Sequence, residues 1–160
     1  MLGIKVICVG RLKEKFYIDA ANEYCKRLAG YCKPEIIEVP EQRLPPAPSK
    51  AEIDAALEKE CSSIESKLPK GAIVIALCVE GKQLESHEVS QMLSNHSGAG
   101  ESRLSFIIGG SFGLHDRIKD RADIKLSLSK MTFPHNLARV VLLEQLYRGF
   151  KIIEGGKYHK

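Results

Sequence analysis

Apolar positions along this chain switch repeatedly between a continuous or two-residue pattern and a pattern near three to four. Residues 4–9 form a short apolar run closed by Gly10, which predicts a strand and a turn. Phe16, Ala20, Tyr24 and Leu28 then fall four apart, predicting an amphipathic helix over residues 13–28 that Gly30 ends. Residues 36–39 read as a second strand. Residues 40–49 contain Pro40, Pro45, Pro46 and Pro48, which suit neither a helix nor a central strand. That stretch reads as an exposed, stiff connector, with a substrate-facing rim as the alternative.

A helix over 51–68 presents Ile53, Leu57, Cys61, Ile64 and Leu68 on one face, and Pro69 and Gly71 close it. Residues 72–79 are nearly all apolar, the mark of a strand covered on both sides, and Glu80, Gly81 and Lys82 read as a turn at its end. A helix follows over 84–93, then a loop over 95–102. A second buried strand over 104–108 runs into the glycine loop Gly109, Gly110, Ser111, Phe112, Gly113. Residues 114–121 read as a short polar helix or turn, and 124–128 as a last strand. Pro134 sits where helices begin, so the final helix runs from His135 to about Ile153. Strands alternating with helices predict one α/β layered domain with a mostly parallel sheet.

Composition narrows the class. With 160 residues, 44% apolar and 28% charged, the chain is sized for one globular domain. Its apolar start lacks a basic leader and has strand length, so it is expected to be structure rather than a signal peptide. No apolar run reaches the length of a membrane span. The five cysteines, Cys8, Cys25, Cys32, Cys61 and Cys78, form no CxxC pair and read as core residues of a reducing, cytoplasmic compartment. Neither they nor the five histidines are spaced as metal ligands, so no metal is expected. Net charge is +4, but residues 117–160 carry 10 Lys/Arg against 4 Asp/Glu while residues 1–116 carry 14 against 16. The positive excess lies in the last quarter and points to an anionic partner such as nucleic acid.

Chemistry concentrates in the same quarter. The glycine loop follows a buried strand, where ligands approach the backbone of open parallel sheets. It matches neither GxGxxG nor the Walker pattern, and a tight turn without a ligand explains it equally well. Glu144 and Arg148 stand four apart on an otherwise apolar helix, either as a structural pair or at a cleft. Basic groups continue into the terminal Lys157, Tyr158, His159 and Lys160. His135, in the first turn of the last helix, is disfavoured as a cation there and can hydrogen-bond a ligand or cap the helix. No GxSxG or triad spacing points to a hydrolase.

Three motifs in order carry a resemblance: residues 128–135 (Leu-Ser-Lys-Met-Thr-Phe-Pro-His), residues 139–148 with Glu144, Tyr147 and Arg148, and the terminal Tyr158, His159 and Lys160. Together, over the whole chain, they resemble the RlmH family of SPOUT-superfamily large-subunit rRNA methyltransferases. The resemblance implies a SPOUT-type α/β fold, a mostly parallel sheet flanked by helices, with a C-terminal trefoil knot in roughly residues 71–160. Periodicity alone would not propose a knot. It further implies a homodimer that binds S-adenosyl-L-methionine and methylates N3 of a pseudouridine in a 23S rRNA stem-loop on the assembled ribosome. Mapped onto this chain, the cofactor pocket takes Leu77, Gly109, and Leu128, Ser129, Lys130, Met131, Thr132 and Phe133.

N3 of a uracil-like ring bears a proton, so a base must remove it and a cation must support the ring anion. The candidates are Glu144, Arg148, Tyr158 and His159. Arg148 supports the anion or an RNA phosphate. Glu144 orients Arg148 or accepts the proton, His159 is the other candidate base, and Tyr158 stacks on or positions the ring. With no separate RNA-binding domain, the recognition surface is expected to come from both subunits, the tail of one closing the other's site. Two alternatives remain: a tRNA methyltransferase of the same superfamily, and a non-catalytic ribosome- or RNA-binding protein with this fold.

Overall fold

A computed structural model describes residues 1–98 and 103–159. The end of the expected 95–102 loop, and Lys160, lie outside the described residues. Among the described residues five strands and five helices alternate: β1 (Gly3–Val9), α1 (Lys15–Leu28), β2 (Lys33–Val39), α2 (Lys50–Glu65), β3 (Ile73–Gln83), α3 (Ser86–Ser97), β4 (Arg103–Ile108), α4 (Asp116–Arg121), β5 (Ile124–Ser127) and α5 (His135–Ile153). All the strands join one parallel sheet in the order β2-β1-β4-β3-β5.

Side-chain alternation along the strands divides the core between two faces. Ile4, Val6 and Cys8 of β1, Leu104, Phe106 and Ile108 of β4, and Ile75 of β3 pack with Leu142, Leu143, Leu146 and Phe150 of α5, beside α1 and α3. Ile7, Val9, Val74, Ala76 and Ile107 point the other way, against Cys61 and Ile64 of α2 and Ile118 of α4. Burial on both faces is why these strands read as continuous apolar runs. Helix α2 starts with a capping box, Ser49 accepting from the Glu52 N–H while Glu52 accepts from the Ser49 N–H.

Two local expectations differ. Phe16 is 66% exposed, and α1 buries Ala21 and Leu28 instead. Strict spacing of four advances about 400° per step, so three steps carry Phe16 roughly 120° away from Leu28 around the helix. The expected turn at Glu80–Lys82 is a bulge inside β3: Leu77 and Lys82 both pair with Leu126 of β5, and the residues between them loop out. Gly81 makes this possible, since a Cβ there would lie 2.7 Å from the Lys125 backbone.

Candidate active site

The C-terminal ends of β3 and β4 and the loop after β5 enclose a cavity of about 620 Å³. The β3 bulge delivers Cys78, Val79 and Glu80 to it, beside Leu77. At the end of β4 the chain doubles back: the Gly113 N–H donates to the Gly110 carbonyl at 3.0 Å, and Gly113 adopts φ +79°. The turn presses so closely on Gly109 that a Cβ there would stand 2.4 Å from the Gly113 oxygen. Backbone therefore forms this wall of the cavity.

The third wall is the loop between β5 and α5. The Ser127 hydroxyl donates to the Ser129 carbonyl at 2.9 Å, and the Ser129 hydroxyl accepts from the Met131 N–H at 3.0 Å. These short bonds curl the loop so that Leu128, Ser129, Met131, Thr132 and Phe133 line the cavity. Lys130 does not line it. Pro134, His135 and Ala138 at the start of α5 complete the wall. Two lining residues form an ion pair, Lys119 to Glu80 at 2.6 Å. That hydrogen bond holds the Glu80 carboxyl below its ordinary range and the Lys119 ammonium above its own.

The four candidates for the chemistry form a second cluster. Arg148 donates to Glu144 Oε1 through Nε at 2.9 Å and Nη2 at 2.5 Å. The Tyr158 hydroxyl donates to the same oxygen at 3.2 Å, and its ring lies under the Arg148 guanidinium at 4.8 Å. His159 Nδ1 stands 3.5 Å from Arg148 Nη1, its ring edge-on to His87. Burial, with Tyr24 and Glu144 nearby, pushes the Tyr158 phenol up to about 12. Tyr158 therefore stays a donor at neutral pH. The glycine pair reverses the chain, Gly155 at φ +72° turning the tail back onto α5.

Within one chain the two clusters are apart. None of Glu144, Arg148, Tyr158 and His159 lines the cavity. Arg148 lies ten residues beyond Ala138, or about 15 Å along the helix, and Glu144 is turned roughly 240° from Ala138. Glu144 and Arg148 stand on the helix that flanks the cavity, but on a part of it that does not reach the cavity within one chain.

A family model described as "Predicted SPOUT methyltransferase" matches residues 2–159. The chain belongs to that family. Ribosomal RNA large subunit methyltransferase H of Streptococcus uberis is 47% identical over 99% of this chain and all of that protein, and the same-named protein of Enterococcus faecalis is 46% identical over the same shares. Among solved structures, a probable methyltransferase from Bordetella pertussis Tohama I superposes with a TM-score of 0.60 at 14% identity, covering 91% of this chain and 93% of that one. That likeness concerns the fold.

Membership in a SPOUT methyltransferase family makes the chain an enzyme and the cavity its methyl-donor candidate. The residues present fit such a donor. Leu77, Ile108, Leu114, Leu128 and Phe133 offer apolar walls for a purine, and backbone at Gly109 allows close approach. Sequence reasoning missed Cys78 and Lys119 as lining residues; Glu80 stood in the turn expected at a strand end, and His135 was read as able to hydrogen-bond a ligand. Cys78 lies within β3 and Lys119 within α4, and only the β3 bulge and the packing of α4 bring them to the cavity. Among the described residues no group of three or more His, Cys, Asp or Glu side chains is arranged to hold a metal, and no helix is long and apolar enough to cross a membrane.

Proposed function

We propose that this chain transfers the methyl group of S-adenosyl-L-methionine to N3 of a pseudouridine in a 23S rRNA stem-loop of the assembled ribosome. The observation that carries the reading is near-full-length relationship to proteins named ribosomal RNA large subunit methyltransferase H, in a chain with a donor-sized cavity at the strand ends. The cofactor supplies the electrophilic methyl. Leu77, Gly109, Leu128, Ser129, Met131, Thr132 and Phe133 hold its adenosyl part, with Lys130 at the edge of the same loop.

Glu144, Arg148, Tyr158 and His159 serve the acceptor. Arg148, held by Glu144 and Tyr158, supports the ring anion by charge. His159 or Glu144 takes the N3 proton, and Tyr158 positions the ring. The enzyme works as a homodimer in which the tail of one subunit closes the other's cavity. Support comes from the separation along α5, because a second copy is the direct way to join a cavity at one end with a cluster at the other. The same reading includes one domain over residues 1–160, a trefoil knot in roughly 71–160, cytoplasmic residence and chemistry without a metal.

The test is incubation with labelled S-adenosyl-L-methionine and ribosomes from a strain lacking this modification, then mapping of the methyl group. One methylated pseudouridine in the large-subunit rRNA is expected. No transfer despite cofactor binding would redirect the reading to another RNA. No cofactor binding would overturn it in favour of a non-catalytic ribosome-binding protein. Glu144→Ala or His159→Ala should slow transfer with cofactor affinity nearly unchanged, and unchanged rates in both would refute the base assignment.

A further inference from the structure

A second cavity, about 650 Å³, opens between the proline-containing segment 40–49, the loop joining β1 to α1, and α2. It adjoins the first through the glycine turn, since Ser111 lines both. Arg11, Lys13 and Arg43 stand exposed around it, with no ion-pair partner among the described residues. Phe112, 49% exposed, projects into the same space from the turn.

The interior is acidic rather than basic. Glu60 is only 6% exposed and accepts from the Gln42 N–H through Oε2 at 2.9 Å. Among the described residues its Oε1 has no hydrogen-bond partner, and Glu60 lines the groove. Glu41 is already engaged, Oε1 accepting from the Ser111 hydroxyl at 3.1 Å. That bond also fixes the turn dividing the two cavities.

A basic rim, an aromatic wall and an acceptor at the floor match a nucleotide in three parts: phosphate, base face and base amino group. A purely anionic ligand would meet the floor carboxylates, and an apolar peptide would leave three cations unused. We propose that this groove holds the RNA strand beside the methylated nucleotide, with phosphates on Arg11, Lys13 and Arg43 and one neighbouring base stacked on Phe112 with its amino group toward Glu60. The proposal rests on the methyltransferase reading and adds where the substrate strand runs. Prolines suit this wall: a rim that does not reorganise loses less entropy when the strand docks.

The experiment uses the full-length protein and unmodified ribosomes. In Arg11→Ala/Lys13→Ala/Arg43→Ala the KM for ribosomes should rise about tenfold or more, and the slope of log affinity against log salt should fall by roughly 2, at about 0.7 per lost single-strand phosphate contact. Phe112→Ala should weaken ribosome binding by about tenfold through lost stacking. Melting temperature and S-adenosyl-L-methionine affinity should stay at wild-type values in both variants, which separates groove loss from misfolding. As an independent arm, p-benzoylphenylalanine replacing Phe112 should crosslink to rRNA within a few nucleotides of the methylated position. Unchanged KM and salt slope in the triple variant, or crosslinks only to ribosomal protein, would overturn the groove while the unaltered enzyme still methylates. No transfer by the unaltered enzyme would overturn both readings.

Discussion

Gly109→Ala puts a methyl group where the turn has no room. Its Cβ would meet the Gly113 oxygen at 2.4 Å, the Gly113 carbonyl carbon at 2.6 Å and Leu114 Cδ2 at 3.1 Å. Nonbonded contact settles at about 3.5–4.0 Å, so the turn must retreat by roughly 1 Å. Two of the three obstacles are backbone and cannot rotate aside. Hydrogen bonds from Gly113 to Gly110 and from Ser111 to Glu41 resist the shift. Overpacking of this kind costs about 1–3 kcal/mol. Ser111, Phe112 and Gly113 face solvent, so the free chain can yield outward and lose only part of that stability. In the proposed function the cofactor packs against this turn, so most of the cost should appear in affinity, as a roughly 10- to 100-fold rise in Kd at about 1.4 kcal/mol per tenfold. Calorimetric titration with S-adenosyl-L-methionine measures it, against Gly30→Ala, whose Cβ meets only the Arg27 oxygen at 3.7 Å. A Gly109→Ala protein binding within twofold of wild type, with the same melting temperature, would refute the reasoning.

Three further predictions concern other parts of the fold. Arg139, 3% exposed, donates to Glu38 at 3.0 Å and to the Gly10 carbonyl at 3.3 Å; Arg139→Met should destabilise by about 2 kcal/mol in urea titration, less than a fully buried pair because Glu38 is partly solvated. Cys78 lines the donor cavity, so saturating cofactor should slow its alkylation severalfold by mass spectrometry while half-buried Cys25 reacts unchanged. Burial raises the Cys8 and Cys32 thiols to about 12 and Cys61 to about 11, from 9.0. These groups hold their protons more tightly folded than unfolded, so their contribution is complete below pH 9 and is lost as pH rises toward 12. Denaturation midpoints should therefore fall across that window, and a flat profile would contradict the burial.

Hydrophobic period with glycine and proline punctuation laid out nine of the ten elements in order and left residues 114–121 open between a short polar helix and a turn, because strands covered on both faces leave unbroken apolar runs and helices leave stripes. The two-face core follows from the same alternation in Val6, Ile7, Cys8 and Val9. Sequence motifs also marked Leu128–Phe133, Glu144, Arg148, Tyr158 and His159 as chemistry. Three-dimensional contacts decided the rest. The β3 bulge depends on Gly81 meeting the Lys125 backbone, a contact between residues far apart in the chain. The same bulge brings Glu80 within 2.6 Å of Lys119, and no local spacing encodes that pair. Phe16 was misplaced because a spacing of four drifts around a helix of 3.6 residues per turn. Above all, the motifs gave no distance between the cavity and the tail cluster: α5 contributes His135 and Ala138 to the one and Glu144 and Arg148 to the other, and helix rise and rotation set them apart. Local pattern reports which face a residue takes within its element, whereas a site is assembled from faces of different elements, and that assembly belongs to packing.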